Sequence, residues 1–435
     1  SLFKRNLEVA PRFKSYHEQK RALLNLGILN HELARQEPSR IFIAVDYYDE
    51  LERLNKEHEP EDHMFGLLWT NRAWALIELP RDRQPDGFRR AIVDAEKAVS
   101  LYRTKYLRPA GLALALMYLG LAQSQLDEYE HTQHEAVLRS LGEAQAVFRQ
   151  LRIADGYSRV VHNLGLHWMH VGEPKKALGY YSEALKFRQG QAIEEWETLG
   201  NIVDVRVQPE MPPFGSEAGD SDLLDRLEYL SQQLSGHGDA DRALRAHYYG
   251  LQLLGHAAGS KVDESIFRWA ERAIAQAESA WKATAGDPLV RYHLGRWLGT
   301  FYAARMLIGI RRRESVDALL RFAQNGKART LMLERQGESV SPQLLVDSAA
   351  LLKRLQQTPE TAFIEIGVSS LGTAVLVASL TRDGALDVRT HALDISEEKL
   401  VGLLIKPGKG WQWHIEALRN ADNNSQLDKL EACAA

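Results

Sequence analysis

The sequence HNLGLHWMHVGEPKKALGYYSEALKF, residues 162–187, predicts two short amphipathic helices joined by a turn. Gly165 and Trp168 share one face of the first helix, so that a small position lies beside a large apolar one. Gly172 suits a turn, and Pro174 suits the first turn of the second helix, where its missing N–H costs no helical hydrogen bond. Two helices of this size cannot bury an apolar face alone. The stretch therefore predicts a helical hairpin that stacks on similar hairpins.

The second helix of this hairpin carries small and aromatic residues at helical spacing. Ala177, Tyr181 and Ala184 fall at positions i, i+4 and i+7, and the two alanines allow neighbouring helices to approach closely. Together with Leu164–Gly165 and the aromatic residue three positions later, this pattern resembles the tetratricopeptide repeat. The resemblance implies an α-solenoid, in which hairpins stack into a superhelix and the concave inner face binds proteins or extended peptides.

Six further hairpins are predicted by small anchor residues equivalent to Gly165. Successive anchors are separated by 46, 47, 45, 35, 50 and 45 residues, whereas the standard repeat has about 34 residues. The extra residues require longer helices or loops, and turn-forming or polar residues predict loops at 81–87, 126–135 and 208–222. In chain order, the anchors are Gly27, Ala73, Gly120, Gly165, Gly200, Gly250 and Gly295.

Each anchor is followed by a predicted second helix with spaced small and apolar residues. For the last two anchors, these helices are expected near residues 262–284 and 314–324. In the first three hairpins, the spaced residues are Ala44, Tyr48 and Leu51, then Ala91, Ala95 and Ala98, then Ala144, Phe148 and Leu151.

The predicted elements change after Arg313. Two helices are expected over residues 314–336 and 341–355, the second beginning at Ser341–Pro342. Three β-branched segments, separated by Gly or Asp-Gly turn signals, then predict strands at 361–368, 372–384 and 385–393. The predicted fold class is therefore mostly α. A solenoid of about seven irregular hairpins over residues 1–325 is followed by a small α/β segment over residues 326–435.

The passage from KARTLMLER at 327–335 through the three predicted strands resembles the opening of a CHAT domain. This caspase-like cysteine peptidase module commonly follows tetratricopeptide repeats in bacteria, and the resemblance covers roughly residues 320–435. It implies a catalytic His and Cys on strands downstream of those matched here. Cys433 follows Ala432, as the family's nucleophile often does, but no apolar strand precedes it. His391 ends a predicted strand, but no partner thiol follows at a workable distance.

We therefore expect no catalytic residue and no peptidase activity in this chain. Two functions remain open. The first is the regulatory, partner-binding scaffold of a bacterial CHAT peptidase, in defence or CRISPR-associated signalling. The second is a non-enzymatic repeat adaptor that binds an extended peptide.

Composition excludes several other classes of protein. The net charge of −4 and the pI of about 6.4 provide no overall attraction to nucleic acid or to an anionic membrane. A single cysteine excludes an internal disulfide framework. No run of 18 apolar residues is present, and the first residues lack a signal-peptide core. We expect a soluble, cytoplasmic protein without membrane contact.

Two local charge and histidine patterns point to weaker possibilities. Basic residues at 311–313, with Arg321, Lys327 and Arg329, suit either an RNA-containing complex or, more simply, a solvated helix face. His162, His167 and His170 lie on one predicted helix, and His131 and His134 form a separate pair. Neither group has a carboxylate-histidine metal signature, so we expect no metal and no cofactor.

Asparagines recur two residues before the anchors, at Asn25, Asn71 and Asn163. In tetratricopeptide proteins this position faces the inside of the superhelix, where asparagines commonly hold the backbone of a bound peptide. Amide groups at an inner face need hydrogen-bond partners, which a ligand or a neighbouring repeat can supply. Both explanations remain open at these three predicted partner-binding residues. The equivalent positions in other hairpins hold Tyr118, Thr198 and Tyr248.

Overall fold

The protein divides into two compact units, Ser1–Val205 and Arg206–Ala435. The structure is a computed structural model. It describes residues 16–34, 37–58, 62–80, 84–216, 219–258, 264–284, 288–323, 325, 348–357, 363–369, 371–381 and 383–393 of the 435-residue chain.

The first unit is an array of α-helices in which each helix packs on the next. Packing between consecutive helices is extensive from α1 through α8, and the first helices of neighbouring hairpins also contact each other. The helices are α1 Tyr16–Ala34, α2 Arg40–Glu57, α3 Asp62–Ile77, α4 Gln84–Thr104, α5 Pro109–Glu130, α6 His134–Leu151, α7 Ala154–His170, α8 Pro174–Arg188 and α9 Ala192–Arg206.

The second unit combines helical hairpins with a small sheet. Helices α10 to α13 pack in chain order, and α13 also packs on the sheet. Its elements are α10 Asp220–Gly236, α11 Ala240–Ala258, α12 Glu264–Ala283, α13 Pro288–Arg311, α14 at 316–323, α15 Ser348–Gln357, β1 Phe363–Ser369, β2 Gly372–Leu380 and β3 Leu386–Leu393.

Close contact between an anchor and a large side chain of the second helix holds four of the hairpins together. A Cβ added to Gly165 on α7 would lie 2.6 Å from the ring of Tyr181 on α8, a distance that no packed side chain adopts. Tyr181 is buried, so the ring has little room to retreat. Gly27 faces Tyr48, Gly120 faces Leu141 and Gly250 faces Trp269 in the same way. The predicted role of these four anchors as helix contacts is therefore confirmed.

Long helices, more than long loops, account for the wide anchor spacing. Helix α4 has 21 residues and α5 has 22, whereas α7 and α8 of the compact hairpin have 17 and 15. Two predicted loops are correspondingly too long. Helix α4 already begins at Gln84, and only residues 131–133 separate α5 from α6. The polar residues in those segments lie on helix ends, where water can solvate them.

Leu151 shares the helical spacing of Ala144 and Phe148 but not their burial, since its side chain is 38% exposed. It is the last residue of α6, where the chain leaves the helix through Arg152 with a φ of 56°. Leu141, one turn before Ala144, packs on the anchor Gly120 instead.

The three predicted strands form an antiparallel sheet in the order β1-β2-β3. Ile366 pairs with Val375, and Val375 pairs with His391 on the other side. The central strand β2 is buried along Ala374–Ala378, as its continuous apolar sequence leads one to expect. The mostly α fold class with a small C-terminal sheet is thus confirmed. The division at residues 325 and 326 stays a prediction, and the predicted helix start at Ser341–Pro342 lies outside the described residues.

Candidate functional site

The predicted partner-binding asparagines lie on first helices, away from the second helix of their own hairpin. Asn25 is on α1, Asn71 on α3 and Asn163 on α7. Each precedes its anchor by two residues, which is about 200° around the helix. Because Gly27 and Gly165 face their own second helices, Asn25 and Asn163 point to the opposite side of the hairpin.

The three asparagines differ in how open they are. Asn25 and Asn71 are half-buried, whereas Asn163 is 9% exposed. The Asn71 amide nitrogen donates to the carbonyl oxygen of Leu67, 2.8 Å away in the same helix. Asn71 therefore keeps at most one N–H and its carbonyl oxygen for a ligand.

A stack of aromatic and cationic groups crosses the first helices beside the asparagines. The Trp74 ring on α3 lies parallel to the Tyr118 ring on α5, with 5.6 Å between centroids and 11° between planes. The guanidinium of Arg159 on α7 lies 5.6 Å from the Trp74 centroid and donates to the Tyr118 hydroxyl at 3.1 Å. Burial lowers the pKa of Arg159, but Tyr118, with smaller contributions from Asp155 and Glu197, more than offsets this, and the net pKa is raised. The guanidinium is therefore a fixed positive charge.

The stack and the asparagines share helix faces in three hairpins. Asn71 and Trp74 are three residues apart, and Arg159 and Asn163 are four apart, so each pair lies on one side of its helix. Tyr118 occupies the asparagine register itself. We call Asn71, Trp74, Tyr118, Arg159 and Asn163 the first-helix face. His31 continues the stack to α1. Asn25 does not belong to the first-helix face, because it lies six residues before His31, a spacing that places the two side chains on different sides of the helix.

A negative charge flanks the tryptophan end of the first-helix face. The Glu78 carboxylate accepts from Trp74 Nε1 at 2.8 Å and lies 3.0 Å from His31 Nε2. The His31 ring lies 4.1 Å from the Trp74 ring. The tryptophan is thereby fixed in orientation between α1 and α5, which lowers the entropy cost of using it as a contact surface.

Thr198, the residue on α9 equivalent to the asparagines, is not accessible to a ligand. Thr198 is fully buried and donates to the carbonyl oxygen of Glu194 at 2.9 Å. It also accepts from the Arg188 guanidinium at 2.9 Å. Here the register supplies an internal structural contact, the second of the two explanations considered for the asparagines. The first-helix face accordingly ends at α7.

The second unit has a similar arrangement at Tyr248, which lies two residues before the anchor Gly250, as the asparagines lie before theirs. The Tyr248 ring on α11 lies 5.8 Å from the Trp297 ring on α13. Arg245 lies 5.9 Å from the same tryptophan, whose Nε1 donates to Asp241 at 2.8 Å. An Arg, Tyr and Trp group between first helices therefore occurs in both units.

Sequence reasoning missed a surface pocket of about 320 Å³ where α6 ends and α7 begins. The rings of Tyr157 and Phe187 meet edge to face in its wall, 5.2 Å apart. Arg149 donates to the Tyr157 hydroxyl at 2.7 Å, and Arg152 lines the pocket beside it. The sequence signal was the apolar Ile153 in a turn, where a polar residue is usual.

The two predicted histidine groups meet in the structure. His134 Nδ1 at the start of α6 lies 2.8 Å from His167 Nε2 on α7, and Asp127 on α5 completes a cluster whose ligand-type atoms lie within 4.8 Å of one another. Ser124 Oγ lies 3.1 Å from the other ring nitrogen of His167. Burial, and then the neighbouring His134, lower the pKa of His167 to about 4. His167 is therefore neutral at pH 7.

His391 and Cys433 are the two residues that the sequence offers for peptidase chemistry. Cys433 lies outside the described residues. His391 is on β3, where burial and then Arg389 lower its pKa. Of the basic residues considered for RNA, Arg312 pairs with Glu264 at 3.1 Å, and Arg321 is exposed on α14.

No known protein family matches this chain, and no curated protein is similar enough to count as a relative. In the part of the chain that the structure describes, no helix has both the length and the apolar composition needed to cross a bilayer. The fold and the local geometry of the first-helix face are therefore the basis for inferring function.

Proposed function

We propose that this protein is a repeat scaffold that binds an extended segment of a protein partner along the first-helix face. The observation that carries the proposal is the fixed stack of Trp74, Tyr118 and Arg159, flanked on the same helix faces by Asn71 and Asn163. Tryptophan, tyrosine and arginine are the residue types that contribute most to protein–protein binding energy. Asparagine offers both a donor and an acceptor to a peptide backbone.

The charges of the face favour a particular kind of segment. Arg159 is held between α5 and α7 and suits a carboxylate of the partner, whereas Glu78 at the other end suits a basic group. Apolar side chains of the segment would pack on the half-buried Trp74 ring. An extended peptide with an acidic residue near α7 and a basic residue near α1 fits this arrangement.

The C-terminal resemblance supports a proposal for the role of this binding. We propose that the scaffold is the regulatory part of a CHAT cysteine peptidase, in which partner binding is relayed to the peptidase module. Support comes from the resemblance of residues 320–435, and from the helix and three-stranded sheet at 348–393. A non-enzymatic adaptor remains the alternative and uses the same binding face.

The test first selects peptides from a random display library by their binding to the wild-type protein. It then compares how tightly the selected peptides bind to the wild type and to variants. N71A and N163A should each weaken binding of the selected peptides about 5- to 150-fold, since an unpaired backbone group costs about 1–3 kcal/mol. Glu96→Ala, an exposed change on the second helix α4, is the matched control and should leave binding unchanged. Thermal unfolding of the same variants separates the two explanations. A large drop in melting temperature with binding retained would assign the asparagines to the scaffold.

A further inference from the structure

We propose that Asp127, His134 and His167 form a binding site for one divalent transition-metal ion, for which Zn²⁺ has the best-fitting coordination. Two imidazole nitrogens and a carboxylate oxygen are a common zinc ligand set. The three residues come from α5, α6 and α7, so the ion would link the turn of one hairpin to the first helix of the next.

The distances suit an ion with little rearrangement. All three ligand-type atoms lie within 4.8 Å of one another, and the two ring nitrogens are 2.8 Å apart. In a tetrahedral zinc site with bonds of about 2.0–2.1 Å, two nitrogens lie about 3.3 Å apart. A small rotation of the half-buried His134 side chain opens the gap by the required half ångström or so. Three protein ligands leave a fourth position for water.

Surrounding groups prepare each ligand atom. Ser124, fully buried on α5, lies 3.1 Å from His167 Nδ1. If the hydroxyl accepts the Nδ1 proton, the lone pair on Nε2 points toward His134, as metal ligation requires. The backbone N–H of Gln133 donates to Asp127 Oδ1 at 2.5 Å, which fixes the carboxylate and leaves its second oxygen. The Trp168 ring meets His134 edge to face at 5.3 Å and covers one side.

The competing explanation is a hydrogen bond between two neutral imidazoles with no ion. In that case His134 donates to His167, and the cluster serves only the packing of α6 on α7. The two explanations differ in one measurable respect. Only a metal site gives saturable, ion-selective binding that depends on Asp127 as well as on both histidines.

The experiment titrates the full chain, stripped of metal, with Zn²⁺ against a chromophoric chelator. We expect one ion per chain from this cluster, with Mg²⁺ unable to compete because it prefers oxygen ligands. H134Q and D127N should each weaken the affinity at least about tenfold. S124A, which removes only the orienting hydroxyl, should weaken it about 10- to 100-fold. H131N is the matched control. It removes an exposed histidine three residues from His134 and should leave the affinity unchanged.

Two further readouts keep the proposal open to refutation if one variant is poorly folded. Co²⁺ bound to the wild type should give the intense visible absorption of a four-coordinate site, and H134Q should lose it while circular dichroism remains helical. Saturating Zn²⁺ should raise the melting temperature of the wild type and of H131N, but not of D127N. Failure to bind Zn²⁺, or equal binding by wild type, H134Q and D127N, would overturn the site.

Discussion

The smallest features that determine this structure are glycines that allow an aromatic ring to touch a helix backbone. At Gly165 the ring of Tyr181 occupies the volume in which a Cβ would lie. Gly179, on the partner helix α8, has no atom within 4 Å of its Cβ position. Two glycines in one hairpin thus have opposite requirements, although both lie within helices.

We expect Gly165→Ala and Gly179→Ala to change stability in opposite directions. The first introduces a methyl group into an occupied site and should lower the free energy of unfolding by about 1–3 kcal/mol. The second replaces a helix-interior glycine in open space and should raise it by about 0.5–1 kcal/mol. Urea unfolding of the two variants beside the wild type measures both. Equal effects on stability would show that Gly165 is not a close helix contact.

Contacts between residues could be predicted from the sequence where both residues belong to the same hairpin. Gly165 and Tyr181 are close in the chain, and their spacing alone placed them on facing helices. The meeting of Asp127, His134 and His167 was not predicted, because Asp127 and His134 belong to one hairpin and His167 to the next. Their meeting depends on how far each helix extends. The loop predicted at 126–135 placed the end of α5 too early, since the helix continues to Glu130.

At the scale of elements, a buried ion-pair network ties α3 to α4 and α2. Arg72 donates from Nε to Asp94 at 2.7 Å and from Nη1 to Asp49 at 2.7 Å, and Nη1 lies 2.8 Å from Glu52. The side chains of Arg72 and Asp94 are each 6% exposed. Burial raises the pKa of Glu52, but Lys56 and Arg72 lower it by a larger amount, so that the net pKa is about 2. The network therefore joins the first two hairpins through charges.

Removing Arg72 should destabilise the array strongly, because Asp94 would stay buried without a counter-charge. We expect R72M to lower the free energy of unfolding by about 3–5 kcal/mol, and D94N combined with it to recover part of that loss. Arg53→Met is the control, since its partners Glu50 and Glu57 are on the same exposed helix face and its effect should be far smaller. Chemical unfolding of the wild type, R72M, the R72M/D94N double variant and the Arg53→Met control measures these differences. A double variant no more stable than R72M would argue against the pairing.

Helix positions were predictable from periodicity, but helix lengths were not. The anchors located α1, α3, α5 and α7 because small residues recur on one face. The ends of α4 and α5 extend into segments rich in charged and polar residues, which sequence reasoning assigned to loops. Those residues can remain solvated at helix ends, so their composition carries no information about where the helix stops.

At the scale of the whole molecule, buried neutral histidines make stability depend on pH. His162 is surrounded by Arg188 from α8 and by Thr198 and Asn201 from α9. Burial, and then Arg188, lower its pKa to about 3. His247 in the second unit is shifted in the same direction, mainly by burial. Both rings stay neutral in the folded protein at pH values where an unfolded chain would protonate them.

We expect the free energy of unfolding to fall as the pH drops below about 6.5. When the pKa of a histidine is lower in the folded protein than in the unfolded chain, the full stability is present above the unfolded pKa. Below that pKa, the free energy of unfolding falls by about 1.4 kcal/mol per pH unit. H162Q should remove about 2 kcal/mol of the loss measured between pH 7 and pH 5. Between pH 7 and pH 8, the wild type and H162Q should run parallel. Identical pH profiles over the whole range would show that His162 does not titrate as expected.

The pairing of an anchor glycine with an aromatic ring inside three of the hairpins has a kinetic consequence. Gly165 meets Tyr181, Gly250 meets Trp269 and Gly27 meets Tyr48, contacts that span only 16 to 21 residues of chain. Such low contact order permits rapid closure of each hairpin, without waiting for distant segments. A nascent chain could thus complete one hairpin after another as it leaves the ribosome, each forming the surface on which the next one folds.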